Sequence, residues 1–296
     1  MAFETLRTET NEDGICILRL HRPDQMNAFT VQMANELEQF FRDINGDDSV
    51  RAIVVTGEGK AFCAGMDLSA EGNVFGLDES MQPTLDDMDN RLEDPAFIAG
   101  VRDTGGRVTL AIYDCCKPVI AAINGAAVGI GATMTLAMDA RIASEKARIG
   151  FVFGRLGIVP EACSSWFLPR IVGMTQALEW CYQADILDAE QARAGGLVRE
   201  VVAVDRIVER AVAYAASLVK GRSPVAVALT RQMMLRNSAA AHPLEAHKVD
   251  SLAMFYTSIH DGKEGVQAFI EKRSPDFKGT VSEHLPPFFE AWCKRS

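Results

Sequence analysis

The stretch of chain that decides the fold runs from Lys117 to Arg141 and reads KPVIAAINGAAVGIGATMTLAMDAR. Its first part, Pro118 to Ile123, is a short apolar run of the kind that forms a buried strand. The run ends at Asn124-Gly125, a pair that allows a sharp turn and positive φ. Two further glycines then precede Ala132 to Met138, an apolar segment that predicts a buried helix.

A strand that turns through glycines into a helix leaves the first N–H groups of that helix without partners. Gly129 and Gly131 lie where such a turn is expected. Unpaired N–H groups can hold a phosphate, or a carbonyl oxygen that becomes negative during a reaction. The stretch alone does not decide between these two ligands.

Two other interpretations of the stretch are open at this point. Residues 118–138 carry no charge and are numerous enough to cross a bilayer, although one asparagine, three glycines and two threonines make a poor membrane helix. The glycines also resemble a dinucleotide-binding turn, and Tyr113 and Lys117 form a YxxxK pair. In dehydrogenases with that pair the glycines come first, whereas here they follow it. We expect neither interpretation to hold.

Composition excludes several classes of function. The chain of 296 residues has a net charge of −10, which argues against nucleic acid as the main partner. The seven cysteines are scattered without a CxxC pair, a pattern typical of reduced thiols in the cytoplasm. The five histidines lack metal-ligand spacing, so no metal site is expected. The polar, acidic N-terminus predicts no secretory signal.

Strands alternate with helices to about residue 205, and only helices are predicted after it. This pattern indicates an α/β core over residues 1–205 and a helical region over 206–296. Residues 69–108 have no firm period and predict an insertion or lid, with one helix from Pro83 to Leu92. The predicted strands are Ile15 to Leu20, Val50 to Thr56, Pro118 to Ile123, Arg141 to Ser144 and Val198 to Val204. The other predicted helices are Val31 to Asn45 capped by Thr30, Trp166 to Val172, Gln176 to Gln183 capped by Thr175, one from Asp188 to Gly195, and four after residue 205.

Five segments of the chain carry a recognisable pattern in sequence order. They are Arg22 to Phe29, Ala61 to Leu68, Lys117 to Gly125, the turn at Gly129 and Gly131, and Glu264 to Arg273. Together they resemble the crotonase superfamily, the enoyl-CoA hydratase/isomerase family. The resemblance implies an α/β spiral of ββα repeats, followed by C-terminal helices that join subunits into a homotrimer or hexamer. It also implies an acyl-CoA thioester substrate, with no cofactor because CoA is part of the substrate.

The resemblance implies a site in which two backbone N–H groups hold the thioester oxygen. By motif position these belong to Met66 and Ile130. The family usually has glycine at the second place, and a β-branched residue restricts φ there while keeping the donor. Asp67 is expected to fix the loop after Met66, and Lys272 to reach the CoA phosphates. The substrate-binding residues expected on this basis are Arg22, Asn27, Ala28, Ala64, Gly65, Asp67, Leu68, Gly129, Gly131, Thr133, Phe153 and Lys272.

The acid/base group is expected to be Glu161. Thr133 and Phe153 stand where the hydratases of the family have two glutamates, and neither side chain can exchange a proton with carbon. Glu161 stands where Δ3,Δ2-enoyl-CoA isomerases carry a single catalytic carboxylate. A carboxylate among apolar side chains is partly desolvated and is a stronger base. The apolar neighbours expected around it are Phe151, Phe153, Val159 and Trp166.

The resemblance therefore favours an enzyme that isomerises a double bond of an enoyl-CoA, with Glu161 as base and acid. Alternatives are an enoyl-CoA hydratase or another enolate reaction, such as a hydrolase or a dienoyl isomerase. A further alternative is a non-catalytic acyl-CoA-binding protein, since both hydratase glutamates are missing. For Glu161 itself the alternative to catalysis is that it only caps the Trp166 helix or pairs with Arg155 or Arg170. The acyl group cannot be predicted, because residues 69–108 would line part of its pocket.

Overall fold

The computed structural model describes residues 3–69 and 72–295. The strands in these residues are β1 (Leu6–Thr10), β2 (Ile15–Leu20), β3 (Ala52–Gly57), β4 (Val119–Ile123), β5 (Ala126–Val128), β6 (Ala140–Ser144), β7 (Arg148–Gly150), β8 (Ile186–Asp188) and β9 (Glu200–Val202). The first helices are α1 (Val31–Asp43), α2 (Leu85–Asn90), α3 (Pro95–Gly100), α4 (Thr104–Asp114), α5 (Ile130–Thr133), α6 (Phe153–Leu156), α7 (Ser164–Val172), α8 (Met174–Gln183) and α9 (Ala189–Ala194). The remaining helices are α10 (Ile207–Val219), α11 (Pro224–Asn237), α12 (Pro243–Ile259), α13 (Asp261–Glu271), α14 (Val281–His284) and α15 (Phe289–Cys293).

The larger sheet has the strand order β1-β2-β3-β4-β6-β9, and only β1 runs antiparallel to its neighbour. Strand β4 lies inside it and is buried throughout. Helix α10 covers one face, while α1 and α4 belong to the main core on the other face. A parallel strand that is buried on both faces is apolar along its whole length, which is why the segment after Lys117 has no alternation.

A smaller sheet contains β5, β7 and β8, each only three residues long. Cys63 pairs with Ala127 as an isolated bridge and so extends this sheet toward the N-terminal part of the chain. Successive turns of the chain thus add one strand to the larger sheet, then one to the smaller, before a helix. The turn β4-β5-α5 and the turn β6-β7-α6 follow this order. The predicted α/β spiral of ββα repeats with C-terminal helices is confirmed.

Several local predictions were wrong. Helix α4 falls partly within the segment that we interpreted as irregular, because Gly105 and Gly106 at its start obscure the helical pattern. The chain does not pass from Asn124-Gly125 directly into a helix, since β5 intervenes. The predicted helix from Ala132 to Met138 is instead the short α5 followed by a 3-10 turn. Thr175 lies inside α8, whose N-cap is Gly173.

Neither alternative interpretation of the central stretch fits the structure. Residues 118–138 form strands and short helices, and none of the helices in the described part of the chain is long and apolar enough to cross a membrane. The Nζ of Lys117 is buried and donates hydrogen bonds to the carbonyls of Ile44 and Asp47. The lysine of the YxxxK pair therefore joins two segments of the core and is not available to a nucleotide.

Candidate active site

A cavity of about 650 Å³ lies beside the glycine turn and contains the predicted catalytic residues. Its lining includes residues 64–66 and 128–130, the start of α4 and part of the chain between β7 and α7. Phe75, Leu77 and Val101 also line it, which confirms that the segment 69–108 contributes to the pocket. A larger cavity of about 860 Å³ next to the C-terminal helices contains none of the predicted catalytic residues.

Met66 lines this cavity, and its backbone N–H is the first candidate donor. The backbone on either side is fixed, because Phe29 N donates to Gly65 O at 2.8 Å and Asp67 N donates to Phe29 O at 2.8 Å. In a parallel bridge of this kind the N–H of the middle residue points away from the partner strand. Among the residues that the structure describes, the Met66 N–H has no acceptor.

Ile130 presents the second N–H, at the first position of α5. Gly129 precedes it with φ of 54° and ψ of −123°, a conformation open to glycine. Gly129 O accepts from Ala132 and Thr133, so the Ile130 N–H is one of the unpaired donors of the helix start, and it has no acceptor within the described residues. Gly131 allows the close packing, since a Cβ on it would lie 2.1 Å from the carbonyl oxygen of Cys63.

Glu161 lines the same cavity. The hydroxyl of Thr133 donates to its Oε1 at 2.5 Å. The pKa of the Glu161 carboxyl is raised from its usual 4.5 to about 8: burial raises it most and the negative charge of Asp103 also raises it, while the Thr133 hydrogen bond lowers it. Such a carboxyl group can both hold and release a proton near neutral pH.

The two arginines that could have neutralised Glu161 are engaged elsewhere. Arg155 forms an ion pair with Asp185, and Arg170 stacks on Trp166 and donates to the carbonyl of that residue. The carbonyl of Glu161, not its carboxyl group, receives the hydrogen bonds of Ser164 at the start of α7. The interpretation of Glu161 as a helix cap or a member of an ion pair is therefore wrong.

The sequence did not indicate Asp103, which is a second carboxylate on the cavity wall. It is the N-cap of α4 and accepts hydrogen bonds from Gly105 N and Gly106 N. Gly105 lies against Glu161, since a Cβ on it would come within 2.2 Å of Oε2. An aspartate two residues before a pair of glycines is a helix-cap signal, and it could have placed the start of α4 but not the contact of that start with Glu161.

Thr133 and Phe153 are the residues that the resemblance places where hydratases have glutamates. Thr133 is fully buried and reaches the cavity only through its hydrogen bond to Glu161. Phe153 is buried at the start of α6 and lines the cavity with its ring. Neither residue can transfer a proton to carbon.

Arg22 and Asp67 form an ion pair of 2.8 Å that joins the two early loops. Two hydrogen bonds from Ser69 and the Arg22 guanidinium lower the pKa of Asp67 to about 2, so it stays an anion and fixes the loop after Met66. Arg22 also donates to Ala28 O at 2.5 Å. The side chain of Asn27 is fully buried and holds Glu58 O and Ala61 O. Asn27 and Ala28 therefore shape the loop and do not line the cavity.

The other residues that we expected to bind substrate do not all line the cavity. Ala64, Gly65, Leu68 and Gly129 line the cavity, whereas Gly131 packs behind it. Lys272 is exposed after α13 and is not part of the cavity lining. Of the four side chains predicted to surround Glu161, Phe153 and Val159 line the cavity, but the prediction was wrong for Phe151 and Trp166. Phe151 stacks on Trp180 in the core, and Trp166 packs against Tyr113 and Phe167.

No thiol in the cavity region is activated. Burial raises the pKa of Cys63 to about 12. Burial also raises the pKa of Cys163, and the charges of Asp103 and Glu161 raise it further. Both thiols therefore remain protonated near neutral pH and act as small packing groups.

Comparisons with known proteins agree with this geometry. A family model described as enoyl-CoA hydratase/isomerase matches residues 10–280. An enoyl-CoA hydratase of Alternaria alternata is 41% identical over 286 residues, which cover 95% of this chain and 89% of that protein. The 1,2-epoxyphenylacetyl-CoA isomerase of Escherichia coli is 31% identical over 272 residues, with 90% of this chain and 96% of that protein covered.

A solved structure has the same fold. The enoyl-CoA hydratase of Bacillus anthracis superposes with a TM-score of 0.78 at 30% identity, covering 93% of this chain and 100% of that one. The family match extends over most of the chain and includes every residue that faces the cavity. The chain therefore belongs to the enoyl-CoA hydratase/isomerase family, the crotonase superfamily.

Proposed function

We propose that this protein moves a carbon–carbon double bond along the acyl chain of an enoyl-CoA, with Glu161 as the group that removes and returns the proton. The observation that carries the proposal is the position of Glu161. It is a carboxyl group with a pKa of about 8, and it lines the same apolar cavity as Met66 and Ile130, whose backbone N–H groups have no acceptor among the described residues.

The reaction follows from these groups. The thioester oxygen of a 3-enoyl-CoA would accept hydrogen bonds from the N–H groups of Met66 and Ile130. The Glu161 carboxylate removes a proton from C2, and the electrons of the C–H bond form a dienolate whose oxygen carries the negative charge. Glu161 then gives the same proton to C4, the carbonyl re-forms, and the double bond lies between C2 and C3. No water is consumed.

Several features of the site support the removal of the proton from C2 and its return to C4. Backbone donors fixed by the fold stabilise the enolate without reorganising, and one such donor is typically worth about 10²–10³ in rate. A base is matched to its task when its pKa lies near the working pH. Thr133 keeps one oxygen of Glu161 in place, so the other is free to approach the substrate.

Hydration of a 2-enoyl-CoA is the second candidate, and the name of the Alternaria relative favours it. It requires a group that positions water as well as one that moves a proton. Asp103 is the second carboxylate in the described lining of the cavity, but backbone N–H groups occupy both of its oxygens. This argument supports isomerisation over hydration.

The test is an assay in D₂O with 3-enoyl-CoA and 2-enoyl-CoA esters of several lengths, with products analysed by mass spectrometry. We expect the 3-enoyl ester to become the 2-enoyl ester without gain of water. Glu161→Gln should lower turnover by at least about 10²-fold while CoA-ester binding remains. Glu145→Gln changes an exposed glutamate outside the cavity and is the matched control.

Other outcomes would identify another function. Addition of water to the 2-enoyl ester would support hydration and rule out isomerisation as the main activity. Binding without turnover of any ester would support a non-catalytic acyl-CoA-binding protein. Full activity of the Glu161→Gln variant would contradict the mechanism.

We also propose that the helical region 206–296 joins subunits into a trimer or hexamer in the cytoplasm. The support is a group of exposed apolar side chains on α12 and α13, among them Phe255, Phe269 and Ile270. In such an assembly Lys272, next to them in sequence, would meet the CoA phosphates at a neighbouring subunit. Sedimentation of the purified protein tests the assembly, and a monomer at micromolar concentration would contradict it.

A further inference from the structure

Asp103 connects two segments that are far apart in sequence. Its Oδ1 accepts from Gly105 N at 3.0 Å, and its Oδ2 accepts from Gly106 N at 2.8 Å. The same Oδ2 accepts from Ala162 N at 2.7 Å, across a separation of 59 residues. One carboxylate therefore holds both the start of α4 and the residue directly after Glu161.

The segment that it holds has an unfavourable backbone conformation. Ala162 and Cys163 have φ of 54° and 55°, in the left-handed region that residues with a Cβ rarely occupy. Such conformations persist only when surrounding contacts fix them. Ser164 closes the turn through the carbonyl of Glu161, and Asp103 holds the N–H between them. The direction of the Glu161 side chain depends on this turn.

Asp103 also prevents the N–H groups at the start of α4 from stabilising the Glu161 carboxylate. The carboxyl group of Glu161 lies against Gly105, in the first turn of α4. Free N–H groups at a helix start stabilise a nearby anion. Asp103 occupies the N–H groups of Gly105 and Gly106 and adds its own negative charge, so Thr133 is the group that donates to the Glu161 carboxyl among the described residues.

The remaining ionisable groups around Glu161 do not offset this charge. Cys63 and Cys163 are thiols with raised pKa values and stay neutral. Arg22, on the early loop, is paired with Asp67. Asp103 is therefore the charged neighbour that acts on Glu161, in agreement with the raised pKa of the latter.

We propose that Asp103 is a positioning residue for Glu161: it holds the turn from Glu161 to Ser164 against α4 and keeps the start of that helix from stabilising the Glu161 carboxylate. This inference rests on the proposed role of Glu161 as the proton-transferring group. It predicts two separable effects of losing the Asp103 charge, one on the position of Glu161 and one on its proton affinity.

The first variant is Asp103→Asn. Asparagine caps helices about as well as aspartate, so α4 should persist while the charge is lost. We expect kcat to fall about 10-fold with KM changed less than about twofold, and the acidic limb of the pH profile to move down by at least about half a unit, because a like charge has been removed. The matched control is Asp188→Asn, which replaces the aspartate cap of α9 outside the cavity and should change neither quantity.

A second variant separates position from charge. Glycine adopts positive φ readily, so Ala162→Gly combined with Asp103→Asn should relieve the turn and recover much of the lost kcat, but not the shift in the pH profile. If the double variant recovered both kcat and the original pH profile, or neither of them, the proposed separation of the positional effect from the charge effect would be contradicted. An Asp103→Asn variant that behaves like Asp188→Asn would overturn the inference outright. If Asp103→Asn alone fails to fold, the double variant and Asp103→Ser, which also retains a cap, decide the same question.

A measurement that needs no turnover distinguishes this inference from the proposed function. The protein labelled with ¹³C at the glutamate carboxyls is titrated by NMR, with Glu161→Gln used to assign the signal of Glu161. A lower titration midpoint in Asp103→Asn supports the inference even if enoyl-CoA isomerisation is absent. An unchanged midpoint overturns it even if the isomerisation is confirmed.

Discussion

Replacing Glu161 with glutamine should stabilise the folded protein, and the gain should grow with pH. The pKa of Glu161 is raised from its usual 4.5 to about 8 in the folded state. Above pH 4.5 the unfolded chain ionises this group and the folded chain resists ionisation, so folding loses stability until the pH passes about 8. Glutamine keeps the shape and can still accept the Thr133 hydrogen bond, but it carries no charge.

The magnitude follows from the pKa difference. Each pKa unit corresponds to about 1.4 kcal/mol, so the ionisation of Glu161 costs the fold roughly 5 kcal/mol at pH 9, about 3 kcal/mol at pH 7 and about 1 kcal/mol at pH 5. The free energy of unfolding of Glu161→Gln should exceed that of the wild type by amounts that follow this series.

The assay is urea unfolding followed by circular dichroism at pH 5, 7 and 9, at one fixed protein concentration. Glu145→Gln, at an exposed position, is the control for the glutamate-to-glutamine change itself. A difference between Glu161→Gln and the wild type that stays constant across these pH values would refute the reasoning, because it would mean that Glu161 ionises as easily in the folded chain as in the unfolded one.

Three further predictions concern the geometry of the cavity. Ile130→Pro removes the N–H at the first helical position, where proline is tolerated, and should lower kcat by about 10²–10³-fold, whereas Ile130→Val keeps the donor and should be nearly neutral in steady-state kinetics. Thr133→Val removes the hydroxyl that stabilises the Glu161 carboxylate, so the acidic limb of the kcat/KM profile should move to higher pH; a shift to lower pH would contradict the assigned hydrogen bond. Gly105→Ala places a methyl group 2.2 Å from Oε2 of Glu161 and should lower kcat at least about 10-fold by displacing the carboxyl group. Gly154→Ala is its control, because the added Cβ would meet no atom closer than 3.6 Å, and an equal loss in both variants would show that the effect is only structural.

Much of the fold could be predicted because its signals are local. Thr30 accepts a hydrogen bond from Met33 N at the start of α1, as its place before the apolar pattern indicated. Asp188 and Gln191 form a reciprocal cap at the start of α9. Strand β4 lies where the apolar run predicted a buried strand. In each case the residues that carry the signal are within a few positions of the structure they specify.

The missed elements lack such signals. Strands β5, β7 and β8 have three residues each, too few to show a period, and they exist because neighbouring strands pair with them. Helix α4 has two glycines in its first turn, which weaken its local pattern, and its Asp103 cap also accepts a hydrogen bond from Ala162, 59 residues away. Trp166 was placed beside Glu161 because it is near in sequence, but α7 turns it toward Tyr113.

The sequence by itself determined the family, the glycine turn, the candidate donors Met66 and Ile130, and the choice of Glu161, since these depend on motifs that lie along the chain. Only the tertiary structure decided the surroundings of Glu161. Thr133 is 28 residues away and Asp103 is 58 residues away, yet one donates to its carboxyl group and the other bonds to the N–H beside it. The proton affinity of a buried group depends on the charges and donors that packing brings near it, and no local pattern encodes that packing.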